Sequence, residues 1–231
     1  VESGELHEGE VLGILGENAM GKTTFAKMLA GELEPDGGSF DAPVSIAYKP
    51  QELTAPKGMV RYILDREVDT GTKRFKTRVE QPLELEELYD KQGDELSGGE
   101  LQRVSLAASL GRDADVYLID EPSAYLDAET RVNLARNLRR FGRDTECPVV
   151  VIDHDLVFLD YISDRAMVFE GEPGRKGHGR KPEGVTNGFN RFLKTTDITF
   201  RNDPETGRPR ANKPGSQKDR EQRNNDEFYE S

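Results

Sequence analysis

At 231 residues the chain is about one and a half times an ordinary ~150-residue domain, long enough to bury a sizeable core without disulfide or metal staples. Hydrophobic residues make up 34% and glycine adds 23 positions, close to the ordinary globular range. The single cysteine, Cys147, excludes an intrachain disulfide, a cysteine-built zinc site and an iron–sulfur cluster held by this chain alone.

No stretch approaches the ~18 apolar residues of a membrane span, and no basic segment followed by an apolar one opens the chain. The expectation is a soluble, cytoplasmic, globular protein with no membrane partner. The net charge of −12 divides into −15 over residues 1–170 and +3 over 171–231, with 20 arginines against 12 lysines. Acidity with few lysines suits a very salty cytoplasm, and it weighs against nonspecific nucleic-acid binding by the main body.

Val1-Glu2-Ser3-Gly4-Glu5-Leu6 lacks an initiator methionine and reads as cut from a longer chain. Glu10 to Leu15 reads as a buried strand ending in a glycine-rich turn at Gly16, and a helix follows from about Gly21 to Ala30 with Phe25, Met28 and Leu29 on its apolar side. Val44 to Tyr48 is a second short strand. Residues from about 56 to 95 mix polar helical segments, Met59 to Arg66 and Leu83 to Tyr89, with acidic linkers, and read as a weaker, more exposed region.

A helix then runs from Gly98 to Leu110, with Leu101, Val104, Ala108 and Leu110 toward a core. The continuous apolar run Val116–Ile119 is typical of a strand covered on both faces. Asp127 is placed to cap a helix running to Phe141, with Gly142 just past its end. Pro148–Ile152 and Ala166–Phe169 supply further strands. Strands alternating with helices predict an α/β fold with a mostly parallel, helix-covered sheet. From Gly171 onward, Phe189, Phe192 and Leu193 suggest one helix, followed by an extended tail with little core-forming content.

Three segments carry chemistry. Gly16-Glu17-Asn18-Ala19-Met20-Gly21-Lys22-Thr23, followed by Thr24, fits the phosphate-loop pattern in its required setting, after a strand and opening a helix. Glycines let the backbone curl so that its N–H groups point at phosphate oxygens, at the positive end of the helix. Lys22 is placed to reach the β- and γ-phosphates and the Thr23 hydroxyl to ligate Mg²⁺.

Asp120 and Glu121 come directly after the Val116–Ile119 strand, with Asp120 suited to hold Mg²⁺ and Glu121 to act as general base on water. Taken alone, two acids at a strand end before Pro122 would read as a turn; beside a phosphate loop they read as catalytic. Leu96-Ser97-Gly98-Gly99-Glu100-Leu101-Gln102 opens a helix with a Ser-Gly-Gly turn, a second anion cradle suited to a partner's nucleotide.

These residues resemble the ATP-binding cassette family. Gly16–Thr23 matches its Walker A segment, Gln51 after Tyr48-Lys49-Pro50 its Q-loop, Leu96–Gln102 its signature, Val116–Glu121 its Walker B segment, Ser123–Asp127 its D-loop and His154 its switch histidine. The resemblance implies a P-loop NTPase fold over residues 1–170 with a helical subdomain at about 56–112, and a hinge extension over 171–231.

It further implies that two cassettes pair head to tail around ATP and Mg²⁺. Gln51 would contact Mg²⁺ and water and His154 the γ-phosphate. Ser97, Gly98, Gly99 and Glu100 would reach the partner's ATP, next to the D-loop residues Ser123, Tyr125 and Asp127. The family's adenine-stacking aromatic upstream of Walker A has no counterpart here, since Phe25 is the first aromatic.

Tyr125 inside Ser123-Ala124-Tyr125-Leu126-Asp127, and the tail GFNRFLKTTDITFRNDPETGRPRANKPGSQKDREQ, are similar to the second cassette of the ribonuclease L inhibitor family of ribosome-recycling ATPases. That implies a first cassette and an iron–sulfur domain elsewhere in the polypeptide, and the small ribosomal subunit and release factor as partners. Arg201, Arg208, Arg210 and Lys213 then read as a hinge strap against the first cassette in preference to an RNA patch. Other readings are a transporter's nucleotide-binding subunit, a tandem-cassette translation regulator or DNA-repair cassette, and a nonhydrolysing binding module.

Overall fold

The computed structural model describes residues 1–38, 44–203 and 209–230. Its centre is a sheet of order β2-β3-β4-β1-β5-β6, built from β1 (Val11–Leu15), β2 (Ile46–Lys49), β3 (Val116–Asp120), β4 (Val149–Ile152), β5 (Arg165–Glu172) and β6 (Lys176–Gly179). The first five run parallel, with Lys49 beside Ile119, Asp120 beside Ile152 and Ile14 beside Ile152. β6 and the two-residue β7 (Glu183–Gly184) pair antiparallel with β5.

The apolar runs become strands because both faces are covered, so neither face is left for polar alternation. Leu12, Ile14, Tyr48, Leu118, Val150 and Ile152 join one core, against α1 (Lys22–Leu29). Val11, Leu15, Tyr117, Ile119, Val149 and Val151 join the other. That second face is covered by α4 (Gly98–Leu110), α5 (Ala128–Thr145), α6 (Leu156–Ile162) and α7 (Val185–Thr195).

The stretch after β2 differs from expectation. α2 (Val60–Glu67) stands where the sequence predicts a helix. A single turn, α3 (Lys73–Phe75), then runs into a π-turn at Lys76–Glu80, and the expected Leu83–Tyr89 helix is one 3₁₀ turn, Glu86–Leu88. Nor is the region weakly packed. Val60, Leu64, Val68, Phe75, Val79, Leu83, Leu85 and Leu88 are all buried. The spacing 75, 79, 83 places three side chains on one face, a signal obscured by the polar and charged residues between them. In α4 the core-facing side is Val104, Leu106, Ala107 and Leu110, with Leu101 and Ala108 only half-buried.

α5 outruns its expected end by a turn. Gly142 sits buried inside the helix, where a Cβ would lie 3.3 Å from the Gly9 carbonyl and from Val149 Cγ2. The glycine permits close packing, and the left-handed cap falls to Glu146 at φ 57°.

The C-terminal part holds more structure than an extended tail. β5 runs from Arg165 to Glu172, and α7 packs upon it. Beyond α7, β8 (Phe200–Asn202) pairs with β9 (Pro209–Ala211), and α8 (Gln217–Asn224) comes next. Phe228 and Tyr229 return to the core: Phe200 N–H donates to the Phe228 carbonyl, and the Tyr229 ring lies 5.1 Å from that of Phe189. Among the described residues no helix is long and apolar enough to cross a membrane.

Candidate functional site

In a parallel sheet, ligands collect beyond the carboxyl ends of the strands where the chain reverses its winding. Here the strand order aligns four loops at those ends: Gln51 after β2, Glu121 after β3, His154 after β4 and Gly16–Thr23 after β1. Residues scattered over more than a hundred positions thereby share one edge.

The loop curls as a phosphate cradle requires, with Ala19 (φ 60°) and Gly21 (φ 85°) left-handed. Lys22, only 5% exposed, donates from Nζ to the carbonyls of Gly16 at 2.6 Å and Glu17 at 2.8 Å. Burial pushes its pKa down, against the pull of the Asp120, Glu121 and Glu17 carboxylates. Glu17, Asn18, Ala19 and Thr24 are exposed and Met20 is buried.

The loop is also braced from the C-terminal side. Gly174 N–H donates to the Ala19 carbonyl at 2.8 Å, and a Cβ on Gly177 would lie 1.9 Å from the Met20 carbonyl. That support comes from the β5–β6 turn, which no motif in the sequence marks.

Glu121 is a hub. Gln51 Nε2 donates to its Oε1 at 2.9 Å, and His154 Nε2 stands 2.9 Å from the same oxygen. Thr23 Oγ1 lies 3.5 Å from Gln51 Oε1. Phosphate-loop hydroxyl, Q-loop amide, acid and histidine thus form one chain of contacts.

Beside them both carboxylate oxygens of Asp120 are buried with no hydrogen-bond partner among the described residues. Burial pushes this carboxyl above the ordinary aspartate value, while the Thr23 hydroxyl and the ammoniums of Lys49 and Lys22 pull it down. Orphaned buried oxygens beside a threonine hydroxyl are what a hard divalent cation supplies a partner for, so Thr23, Gln51 and Asp120 fit Mg²⁺.

Two more residues belong to this edge, and reading the sequence singles out neither as a site residue. Lys49, 1% exposed, donates to the carbonyls of Asp120 at 2.9 Å and Glu121 at 3.5 Å; burial pulls its pKa down to about 8, against the neighbouring carboxylates. Gln102, fully buried, donates to the Glu121 carbonyl at 2.6 Å. A lone lysine in a short strand carries no local signal of such burial.

The D-loop hangs from the end of β4. Ser123 donates from N–H and Oγ to the buried Asp153 carboxylate, at 3.0 and 2.8 Å. Asp127 accepts from the amides of Glu129 and Thr130 and so caps α5. Between them Tyr125 is 72% exposed and left-handed at φ 64°, its ring lying where a Cβ on Gly98 would approach to 3.1 Å.

At the start of α4, Ser97 and Glu100 form a reciprocal capping box. Lys91 binds Glu100 at 2.6 Å and, with the Ser97 amide, holds that carboxyl at about 2. The amides of Gly98 and Gly99 precede the first intrahelical bond, which leaves them free to serve an outside acceptor. A Cβ on either glycine would meet Tyr125, while Lys91 binds the adjoining Glu100.

Away from this edge, Arg210 pairs with Asp203 at 3.6 Å, and Arg208 lies outside the described residues. Cys147 is half-buried against the Ala114 and Thr145 carbonyls.

Comparison with known proteins agrees with this geometry. The family profile described as ABC transporter matches residues 2–124. An uncharacterized ABC transporter ATP-binding protein of Methanocaldococcus jannaschii is 50% identical over 99% of this chain and 39% of its own length. Translation initiation factor RLI1 of Saccharomyces cerevisiae is 42% identical over 99% of the chain and 38% of its own length. The chain thus spans about two fifths of these relatives.

A solved structure titled as a model of ribosome-bound archaeal Pelota and ABCE1 superposes with TM-score 0.92 at 50% identity, covering 99% of this chain and 39% of that one. A parallel sheet that gathers a phosphate loop, a glutamine, an acid pair and a histidine on one edge, matched by that profile over more than half the chain, places this protein in the ABC family as an ATP-binding cassette of the ATPase type.

Proposed function

We propose that this chain is the second nucleotide-binding cassette of a cytoplasmic twin-cassette ATPase that splits ribosomes into subunits after termination. The observation that carries the chemistry is the convergence of Gln51 and His154 on one oxygen of Glu121, at 2.9 Å each. The biological setting is supported by the translation-factor relative and by the ribosome-bound structure, both aligned over 99% of the chain. These favour it over a transporter's nucleotide-binding subunit.

In this reading Gly16–Thr24 wraps the ATP phosphates and Lys22 turns from its own loop carbonyls to phosphate oxygens. Thr23, Gln51 and Asp120 would hold Mg²⁺, whose charge would offset that of the phosphates. Glu121, with Oε1 occupied by Gln51 and His154, accepts the proton of the attacking water on Oε2. His154 is set to contact the γ-phosphate. Removing a general base such as Glu121 costs about 10²–10⁴ in rate.

Ser97, Gly98, Gly99 and Glu100, flanked by Ser123, Tyr125 and Asp127, serve ATP bound by the first cassette, facing head to tail. Residues 171–231 act as hinge, Arg201, Arg210 and Lys213 strapping onto that cassette.

The test uses the intact polypeptide carrying Glu121→Gln. It is expected to bind ATP, lose turnover by about 10²-fold or more, and co-sediment with small ribosomal subunits only with ATP and Mg²⁺. Unchanged hydrolysis at this site would overturn the general-base role. ATP binding without co-sedimentation would overturn the ribosomal setting and leave the cassette chemistry standing.

A further inference from the structure

Lys49 ends a strand whose other buried positions are Ala47 and Tyr48, and it is itself only 1% exposed. A buried ammonium facing carbonyls is unfavourable unless it is well bonded, and valine or isoleucine would fill a strand position without that penalty. Packing therefore does not account for the residue. What it touches does: Nζ donates to the Asp120 carbonyl at 2.9 Å and reaches the Glu121 carbonyl at 3.5 Å.

The peptide units on either side of Glu121 are gripped from three elements. Lys49 comes from β2, Gln102 Nε2 from α4 binds the Glu121 carbonyl at 2.6 Å, and Glu121 N–H donates to the Ile152 carbonyl of β4 at 2.7 Å. Glu121 itself has φ 50°, in the left-handed region that a residue with a Cβ keeps only when its surroundings hold it there. From that conformation its carboxylate meets Gln51 and His154.

We infer that Lys49 is a positioning residue for Glu121: its carbonyl bonds hold the Asp120–Glu121 backbone in the left-handed turn that aims the acid at Gln51 and His154. The inference rests on the reading of Glu121 as general base. It makes the strand leading into the Q-loop a mechanical support of the Walker B acid.

The test compares Lys49→Met with the unaltered protein in the intact polypeptide. Methionine keeps much of the buried length and removes the donor group. The Kd for ATP is expected to stay within about threefold while kcat falls about 10- to 100-fold, the scale of a misaligned reacting group. In the Glu121→Gln background, adding Lys49→Met should change single-turnover hydrolysis by less than about twofold, because residues acting through one another are not additive.

Three results overturn the inference: wild-type kcat in Lys49→Met, a full additional loss in the Glu121→Gln background, or loss of ATP binding in step with kcat. If Lys49→Met does not fold, Lys49→Leu, which also removes the donor, is judged by the same criteria. Failure of both to fold makes the lysine a structural core residue and overturns the inference equally. If Glu121→Gln alone leaves turnover intact, the general-base reading fails first. A blocked Glu121→Gln with an unimpaired Lys49→Met removes the positioning role alone.

Discussion

Lys22 and Asp120 are two buried charges of the same edge with unlike situations: the lysine donates to its own loop carbonyls, whereas the aspartate oxygens make no well-formed hydrogen bond among the described residues and feel only the nearby Thr23 hydroxyl and lysine ammoniums. On the proposed reading, ATP phosphate oxygens would take the place of the loop carbonyls and Mg²⁺ would partner the carboxylate. Lys22→Ala removes the only charged donor within the loop, and hydrogen bonds to charged groups contribute about 1.5–3 kcal/mol each. ATP affinity should fall by about 10²-fold or more with the far-ultraviolet circular dichroism unchanged, as fluorescent-nucleotide titration would read.

At this scale the motif side chains are legible because their types and spacing are set by phosphate chemistry. Lys49, Gln102 and Asp153 are not, because nothing local marks a polar side chain that a distant strand or helix will bury.

Elements meet where glycines let them. A Cβ on Gly188 of α7 would lie 2.6 Å from Ala166 Cβ on β5, and neither backbone is free to retreat. Alanine favours a helix by ~1 kcal/mol over glycine, but overpacking costs about 1–3 kcal/mol. Gly188→Ala should therefore be net destabilising and lower Tm by a few degrees in a thermal melt.

The C-terminal unit hangs on Asp219, which accepts from Thr199 Oγ1 at 2.6 Å, from Gly215 N–H at 2.7 Å and from Arg223 Nε at 3.0 Å. These partners, Thr199 foremost, hold its carboxyl below the ordinary aspartate value. A depressed carboxylate stabilises above its unfolded pKa of 3.8 and loses that contribution as pH falls beneath it. Pepsin should accordingly cut within the α8 region below about pH 4 before it opens the parallel sheet. Cleavage starting in the sheet would refute that order.

The molecule as a whole carries a net charge of −12. Like charge opposes the compact state, and screening relieves it as the Debye length shrinks from about 30 Å at 0.01 M salt to about 8 Å at 0.15 M. Tm should rise across that range of potassium chloride. A falling Tm would show that surface ion pairs such as Arg103 with Glu87 outweigh the general repulsion.

Sequence alone determined the α/β class and the helix Gly98–Leu110, and it singled out Gly16–Thr23, Asp120–Glu121 and Ser97–Glu100, because each is written in contiguous residues whose periodicity or chemistry admits few alternatives. It misjudged residues 56–95, the end of α5 and the C-terminal segment, where burial depends on partners far along the chain. Phe75 and Val79 had to find the core through a π-turn, and Phe228 and Tyr229 had to return to α7 and β8. Only the strand order, with β3 between β2 and β4, brought Lys49, Gln51 and His154 to Glu121. That juxtaposition is a property of topology, and no local rule of sequence contains it.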